Sequence, residues 1–395
     1  RPQGRSMPPV GGAAPPVLGT GPSMVRKAIE EHEGGAHMKI EAAVTHGQGE
    51  EFKIGEVELA EPRSNEVLVR VVATGVCHTD AVARDNGIVP YPIVLGHEGA
   101  GIVEQAGENV KAVGPGDHVV LSYSSCGHCE NCLSAHPSTC EKMNDLNFGS
   151  QGIERLEQDG RPVATFFGQS SFATYAVADE RNVVKVPDDV ELELLGPLGC
   201  GIQTGSGTVL ACLKPAFGST IVVYGCGAVG LSAVMAAKIA GCRTVIAVDV
   251  HESRLELARE LGADYALNGA EVDVVEEIGK ATGAGTHYAV ETTGVPAVVH
   301  QSLAALRPLG TVAIVGITPE MTVDMFGEIM AEGKTVTGVI EGDTVPQLFI
   351  PELVEYYRQG RFPFDKLVKY YDFEDINQAF EDSRTGKTIK PVVKM

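Results

Sequence analysis

One stretch in the second half of the chain joins a buried strand, a glycine-rich turn, a helix and an acid in a fixed order. Thr220–Tyr224 is an apolar run typical of a buried strand, and the turn Gly225–Gly230 (GCGAVG) follows it directly. The next strand, Thr244–Val248, ends at Asp249, 19 positions after the last glycine. Such glycines let the backbone approach a pyrophosphate at a helix N-terminus, and such an acid accepts hydrogen bonds from a ribose. The stretch predicts a Rossmann fold, with a purely structural glycine turn as the alternative.

The acid at the end of the second strand also predicts the kind of dinucleotide. A carboxylate at Asp249 repels a 2′-phosphate, so NAD is favoured over NADP. Arg254, one turn into the next helix, offsets part of that charge. The candidate cofactor-binding residues of this stretch are Gly225, Gly227, Gly230, Asp249 and Arg254.

Strands and helices keep alternating beyond this point, as a doubly wound α/β sheet requires. Further strands are predicted at Tyr288–Glu291, Thr311–Gly316 and Thr335–Ile340. With the two strands named above they make five, and a parallel sheet of six strands is expected.

The most specific motif in the first half is a run of four cysteines with the spacing C-x₂-C-x₂-C-x₇-C. Its members are Cys126, Cys129, Cys132 and Cys140. Four thiolates so close together predict a closed tetrahedral zinc site, which stabilises the fold but has no open position for chemistry. Disulfides are disfavoured because the chain is no small secreted scaffold. Thiolates alone would also suit an iron–sulfur cluster.

The rest of the first half has short strands and turns, which predicts a compact β-barrel-like domain. Two motifs interrupt this pattern, Gly75-Val-Cys77-His-Thr-Asp80 and Gly96-His97-Glu98. With Cys200 downstream they supply a Cys₂His set, which leaves a fourth tetrahedral position open for substrate oxygen. Asp80 and Glu98 are candidate carboxylates that support these ligands. The alternative is that Cys77 and His97 are unrelated loop residues.

Composition excludes several classes of partner. At 395 residues the chain is long enough for two domains, and its net charge of −21 argues against nucleic acid and anionic membranes. No apolar run approaches the roughly 20 residues that span a bilayer. Nine cysteines without a secretory signal favour a reducing, cytoplasmic location.

Residues 1–37 are rich in Pro and Gly and are interpreted as a disordered extension, an expression remnant or a start-site artefact.

From about Met38 to its C-terminus the chain resembles the zinc-dependent medium-chain alcohol dehydrogenases. The two zinc-ligand motifs, the cysteine run, Gly199-Cys200-Gly-Ile-Gln-Thr204 and the glycine turn carry this resemblance. A narrower similarity to NAD-dependent aryl-alcohol dehydrogenases rests on Asn147–Gly149, Phe166–Tyr175 and Phe373–Phe380.

The resemblance implies two domains with the active site between them. A GroES-like catalytic domain would comprise residues 38–201 and 341–395, and the Rossmann domain residues 202–340. Cys77, His97 and Cys200 would hold a catalytic zinc, the second of two zinc ions per chain, and Thr79 would bind the substrate hydroxyl and start a proton relay. His78 and Lys390 would contact the cofactor pyrophosphate, and Thr204, Val315 and Ile317 the nicotinamide side.

The expected activity is the NAD-dependent interconversion of a primary, aromatic alcohol and its aldehyde. Aliphatic alcohols, S-(hydroxymethyl)glutathione, or a non-catalytic NAD(H)-binding role are the alternatives. Several family members carry a histidine five positions after the first zinc cysteine, whereas this chain has Val82 there. The relay therefore ends at the ribose and water, or another group serves. A homodimer or homotetramer is expected from exposed sheet edges near 311–316 and 335–340.

Overall fold

The structure is a computed structural model that describes residues 37–149 and 155–395. The interpretation of residues 1–37 as an extension lies outside these ranges except at His37, which is the first residue of a strand rather than part of an extension. Within the described ranges, no helix is long and apolar enough to cross a membrane.

The first half and the C-terminal tail supply the strands of two mainly antiparallel sheets. These strands are β1 (His37–Thr45), β2 (Lys53–Ala60), β3 (Glu66–Gly75), β4 (Ile93–Val94), β5 (Gly99–Ala106), β6 (His118–Leu121), β7 (Leu156–Gln158), β8 (Arg161–Val163), β9 (Tyr175–Asp179), β10 (Val183–Lys185), β17 (Val368–Asp372) and β18 (Lys390–Lys394). One sheet has the order β4-β1-β2-β7-β8, and the other has β10-β6-β5-β3-β18-β17 with β9 paired to β3. This arrangement confirms the predicted GroES-like barrel.

A third sheet of six parallel strands carries the predicted nucleotide fold. Its strands are β11 (Thr220–Tyr224), β12 (Thr244–Asp249), β13 (Tyr265–Asn268), β14 (Thr286–Glu291), β15 (Leu306–Ile314) and β16 (Thr335–Gly338). The order β13-β12-β11-β14-β15-β16 is the Rossmann order 3-2-1-4-5-6. The last strand ends at Gly338, two residues before the predicted end.

Eleven α-helices in the described residues connect and cover these sheets. They are α1 (His78–Asp85), α2 (Glu130–Leu133), α3 (Met143–Asn147), α4 (Leu192–Leu195), α5 (Gly201–Gly207), α6 (Ala228–Ile239), α7 (Glu252–Glu260), α8 (Val274–Thr282), α9 (Pro296–Ala304), α10 (Pro346–Arg358) and α11 (Ile376–Arg384). The predicted helix near 351–359 is α10, which begins five residues earlier, with Pro346 in its first turn.

The barrel and the nucleotide fold share one apolar core. Leu198 and Ile202, on either side of Cys200, belong to the same buried cluster as Ile221 and Val234 of the Rossmann half. At the other end of the chain, β18 pairs with β3, so the tail lies beside the strand that leads to Cys77. Both zinc-ligand segments are therefore fixed by the packing where the two halves meet.

Candidate active site

Cys77 and His97 are brought together by one carboxylate. Cys77 caps α1, and its backbone N–H donates to Asp80 Oδ2 at 3.0 Å, as in a capping box. Asp80 Oδ1 accepts from Gly96 N at 3.1 Å and lies 2.8 Å from His97 Nδ1. Gly96 has a φ of +90°, and a Cβ there would lie 2.5 Å from a backbone nitrogen of the neighbouring loop, so the turn requires glycine.

Cys200 reaches the same point from the junction of the two halves. It stands between a 3₁₀ turn, Gly196–Gly199, and the first residue of α5. The turn is tied to the barrel because Ser122 Oγ donates to the Gly199 carbonyl at 2.7 Å. The side chain of Cys200 is buried.

These three side chains form a donor set that fits a zinc ion. The candidate ligand atoms of Cys77, His97, Glu98 and Cys200 all lie within 4.8 Å of one another. His97 Nδ1 is engaged by Asp80, whereas its buried Nε2 has no hydrogen-bond partner among the described residues. An imidazole nitrogen left bare beside two thiols is the arrangement that a Cys₂His zinc site needs. The three predicted ligands are thus brought together in space.

The charges around this cluster favour a bound cation. A hydrogen bond from the Cys200 thiol, helped by Lys390 and His97, lowers the pKa of Cys77 well below its usual value, although burial opposes the shift. Burial disfavours a charged His97, but Asp80 and Cys77 together raise the pKa of the imidazole. Two thiols and an imidazole supported by a carboxylate are thus held together away from water, and a bound cation would stabilise the thiolates and the neutral imidazole.

Glu98 and Lys390 form a buried ion pair beside the cluster. Lys390 Nζ lies 2.8 and 2.9 Å from the two carboxylate oxygens of Glu98 and donates to the Val76 carbonyl at 3.2 Å. Glu98 Oε1 also accepts from Gly201 N at 3.1 Å. Burial raises the pKa of Glu98 to about 7, and Lys390 opposes that shift. The Val76 carbonyl and the two Glu98 oxygens can accept all three ammonium hydrogens of Lys390. Lys390 therefore contributes positive charge beside the cleft but no free hydrogen-bond donor.

Buried aromatic rings pack around the imidazole of His97. The ring of Phe167 is tilted by 31° against that of His97 with centroids 4.5 Å apart, and Phe166 meets the imidazole edge-on at 5.5 Å. Phe148 packs against both phenylalanines. Phe167 has a φ of +52°, an uncommon backbone for a bulky residue, and hydrogen bonds with Asn147 and Asn182 hold it there. The sequence did not place these rings near the predicted ligands.

A cleft of about 970 Å³ runs from the metal cluster along the nucleotide fold. Residues of α1, the glycine turn, the end of β12 and the C-terminal tail line it. Seven predicted site residues and the relay position are among them: Cys77, His78, Gly225, Gly227, Asp249, Arg254, Lys390 and Val82. Thr79, one position after His78, has its Oγ1 3.8 Å from Cys77 Sγ.

Asp249 joins the glycine turn to the end of β12. Its Oδ2 accepts from Cys226 N at 2.7 Å and lies 3.8 Å from Arg254 Nη1. Its Oδ1 accepts from the backbone N–H groups of Val250 and His251 at 2.7 and 2.9 Å. The carboxylate therefore shapes the turn in addition to facing the cleft.

The remaining cofactor candidates do not line this cleft. Gly230 faces the turn instead, since a Cβ there would lie 1.7 Å from the Gly225 carbonyl oxygen. Thr204 lies beside the metal cluster, where its hydroxyl donates to Glu341 at 3.5 Å. Val315 is half-buried at the end of β15, and Ile317 is exposed. The contacts predicted for Thr204, Val315 and Ile317 remain predictions.

The four-cysteine run forms a second cluster with the dimensions of a mononuclear site. The sulfurs of Cys126, Cys129, Cys132 and Cys140 lie within 4.8 Å of one another. Two of the sulfur pairs are 4.0 Å apart, too far for a disulfide and close to the roughly 3.8 Å between thiolates on one tetrahedral zinc. Backbone N–H groups of Cys126, Cys129 and Lys142 also point at these sulfurs. The geometry fits a single ion rather than disulfides.

One buried group at the site was not predicted from the sequence. Glu341 Oε1 lies 3.4 Å from Cys200 Sγ, and Oε2 accepts from Gln203 Nε2 at 3.1 Å. Burial raises the pKa of this carboxyl to about 7, and the nearby His97 opposes the shift. No local motif marks Glu341, because it lies 141 positions after its partner Cys200.

Comparison with known proteins identifies the family. Residues 63–188 match the alcohol dehydrogenase GroES-like domain, and residues 228–355 match the zinc-binding dehydrogenase model. The chain therefore belongs to the zinc-binding medium-chain alcohol dehydrogenase family, as the sequence motifs predicted.

Three relatives are informative about its place in that family. The chain is 46% identical to the geraniol dehydrogenase of Castellaniella defragrans over 90% of its own length and 98% of the relative. Its sequence is 48% identical to that of benzyl alcohol dehydrogenase from Acinetobacter calcoaceticus, whose crystal structure superposes with a TM-score of 0.87. The match covers 91% of this chain and 99% of the other. The chain is also 37% identical to an NDMA-dependent alcohol dehydrogenase of Amycolatopsis methanolica, covering 90% and 99% of the two chains.

Proposed function

We propose that this protein oxidises a primary, aromatic alcohol to its aldehyde with NAD as hydride acceptor, and catalyses the reverse reaction. The observation that carries the proposal is that Cys77, which clusters with His97 and Cys200, lines the same cleft as the glycine turn. A substrate held at the cluster would face a dinucleotide lying along that cleft, which is the alignment that hydride transfer needs.

The chain's own residues would prepare the alcohol for oxidation. A zinc ion bound by Cys77, His97 and Cys200 would supply a Lewis acid that lowers the pKa of a hydroxyl group. Thr79, whose hydroxyl lies 3.8 Å from Cys77 Sγ, would accept the proton that the alcohol loses and pass its own hydroxyl proton on to the ribose and water. Asp80 would keep the proton on His97 Nδ1 and leave Nε2 free to bind.

The dinucleotide would be held by the residues of the nucleotide fold that line the cleft. Gly225 and Gly227 line the cleft directly before α6, whose N-terminus suits a pyrophosphate. Asp249 at the end of β12 would accept from the ribose hydroxyls and disfavour a 2′-phosphate. The four-cysteine cluster would hold a second, structural zinc ion.

An aromatic substrate is supported by the phenylalanines around His97 and by the relative named for benzyl alcohol. Phe148, Phe166 and Phe167 surround the imidazole with apolar surface suited to a planar group. The relatives named for geraniol and benzyl alcohol both act on primary alcohols with an unsaturated neighbouring carbon. We therefore place saturated aliphatic alcohols and S-(hydroxymethyl)glutathione below benzyl alcohol and geraniol as substrates.

The test is a comparison of kcat/KM for benzyl alcohol, geraniol, ethanol and S-(hydroxymethyl)glutathione with NAD, combined with zinc analysis. Burial of an aromatic ring contributes about 3 kcal/mol, so benzyl alcohol should exceed ethanol by about 100-fold. Two zinc ions per chain are expected. If benzyl alcohol is the poorest substrate by orders of magnitude, the aromatic assignment is wrong, and turnover with NDMA but not with NAD would overturn the proposed acceptor. A folded protein that binds NADH but turns over no alcohol would support the non-catalytic alternative.

We also propose that two copies pair through the edge of the parallel sheet. β16 is the outermost strand, and its free edge has no neighbouring strand among the described residues. Met325, Phe326 and Val336 are exposed close to this edge in the chain. Light scattering during gel filtration should give a dimer or tetramer, and a monomer would exclude this assembly.

A further inference from the structure

Glu341 is a buried carboxylate that the roles above do not use. Only 6% of the residue is exposed, and its oxygens contact Cys200, Gln203 and Thr204. In the part of the chain that the structure describes, no lysine, arginine or histidine nitrogen lies within 4.0 Å of its carboxylate. Burying a charged carboxylate without a nearby cation costs free energy. A bound cation would lower this cost at Glu341, where no described side chain supplies a positive charge.

The distance between Glu341 and Cys200 is that of two ligands on one ion. A thiolate sulfur about 2.3 Å from zinc and a carboxylate oxygen about 2.0–2.2 Å from it are separated by about 3.6 Å in a tetrahedral site. Glu341 Oε1 lies 3.4 Å from Cys200 Sγ. The buried, unpartnered Nε2 of His97 belongs to the same cluster as Cys200. The group of mutually close ligand atoms comprises Cys77, His97, Glu98 and Cys200, and Glu341 Oε1 reaches this group through its contact with Cys200.

Glu98, the other carboxylate at the cluster, is already engaged. Lys390 Nζ lies 2.8 and 2.9 Å from its two oxygens, and Gly201 N donates to one of them. To bind the ion, Glu98 would have to break its buried ion pair with Lys390. Among the described residues, Glu341 Oε1 has the Cys200 thiol as its hydrogen-bond partner and takes part in no ion pair.

The backbone around Glu341 is held in an unusual conformation that directs this side chain. Glu341, Gly342 and Asp343 have φ values of +50°, +70° and +51°, a left-handed run that costs energy for the two residues with a Cβ. On one side, His136 Nδ1 lies 2.8 Å from Asp343 Oδ1, and His136 belongs to the loop of the four-cysteine cluster. On the other, Gly342 packs closely on Gly207 of α5. The turn is therefore fixed between the two predicted zinc sites.

We propose that Glu341 Oε1 is the fourth ligand of the ion held by Cys77, His97 and Cys200, and that the substrate oxygen displaces it. This inference rests on the proposed function, because it requires a metal at that cluster. The displaced carboxylate would stay beside Gln203 and Thr204, which already bind its other oxygen. The ligand thus comes from the segment that follows the Rossmann sheet, opposite Glu98 of the barrel.

The test compares zinc release from the wild type and from Glu341→Gln, which keeps the shape of the side chain. Release to a chromogenic chelator is followed for each of the two ions, without substrate or cofactor. The more weakly held ion should leave at least about tenfold faster from the variant, the scale expected when a supporting group is lost. Asp343→Asn is the matched control, because it alters the same turn without touching Cys200, and its release should equal that of the wild type.

The outcomes separate this inference from the proposed function. One zinc ion per wild-type chain, at the four-cysteine cluster, would overturn both. Two results would overturn the ligand role alone, provided that the wild type holds two zinc ions. The first is a zinc-release rate of Glu341→Gln equal to that of the wild type. The second is an Asp343→Asn rate that rises as much as that of Glu341→Gln. A crystal structure of the substrate-free zinc protein provides a second measurement on the wild type. Glu341 Oε1 within about 2.2 Å of the ion would support the inference, and an oxygen beyond 3 Å would contradict it.

Discussion

Asp80 Oδ1 lies 2.8 Å from Nδ1 of His97, and neither side chain has exposed surface. The same carboxylate accepts from the backbone of Cys77 and Gly96. A single buried acid therefore sets the orientation of two predicted metal ligands that lie 20 positions apart in the sequence.

Asp80→Asn should weaken metal binding at the Cys77, His97 and Cys200 cluster by about 10- to 100-fold, because an amide no longer matches all three donors. The dissociation constant for zinc, measured by chelator competition, checks this. Asp85→Asn at the end of α1 is the control, since that carboxylate pairs with Arg84 near the surface. Unchanged zinc affinity in Asp80→Asn would show that His97 is oriented by other contacts.

Cys132→Ser should remove one zinc ion from each chain and leave the ion at the Cys77 cluster in place. Three remaining thiolates bind zinc less tightly than four, and the loop around them depends on the ion for its conformation. Elemental analysis and limited proteolysis within residues 126–142 measure both effects. Cys212→Ser, which lies outside both clusters, should behave as the wild type. Two ions retained in Cys132→Ser would argue against a four-thiolate site.

Asp249→Ala should lower the preference for NAD over NADP by at least about tenfold, because the repulsion of a 2′-phosphate is lost. Affinity for both cofactors should also fall, since the carboxylate holds Cys226 N in the glycine turn. The ratio of kcat/KM values for the two cofactors separates these effects. Glu256→Ala, an exposed acid on α7, changes the net charge equally and should leave the ratio alone. An unaltered ratio in Asp249→Ala would count against the ribose contact.

Phe167→Leu should reduce kcat/KM for benzyl alcohol about tenfold relative to ethanol, because ring stacking contributes up to about 1.5 kcal/mol. The control is Phe172→Leu, whose ring packs on Phe52 and Phe380 rather than on His97. Steady-state kinetics on both alcohols give the ratio for each variant. Equal losses on the two substrates would mean that Phe167 supports the site without contacting the aromatic group.

Asp382→Asn should lower stability by the same amount at pH 6 and pH 8. The hydrogen bond from Tyr371, together with Lys387 and Gln378, holds the pKa of this carboxyl well below its usual range. A depressed native pKa stabilises the fold above the unfolded value of about 3.9 and loses that effect as the pH falls below it. Urea unfolding at pH 4, 6 and 8 should therefore show the difference narrowing only at the acidic end. Glu381→Gln, an exposed neighbour, is the control, and equal stability of the Asp382 variant at pH 7 would contradict the prediction.

Much of the fold was predictable because short-range sequence patterns indicate its strands, turns and helices. The bounds of β11 agree with the predicted strand to the residue, since an apolar run and the glycine turn that follows it mark its end. The ends of β15 and β16 were less well predicted, because their pattern continues into loops beyond the last sheet hydrogen bonds. The cofactor contacts expected at Val315 and Ile317 remain predictions.

The sequence by itself determined the chemistry that is available: two zinc-ligand motifs, a four-cysteine run, and a glycine turn with its acid. Each is recognisable because its spacing reflects local geometry, a helix cap, a loop or a strand end. The tertiary structure decided what surrounds them. The pairing of Lys390 with Glu98 spans 292 positions, and that of Glu341 with Cys200 spans 141. No local pattern encodes such contacts, because they arise when packing of the shared core brings distant segments to the same buried point.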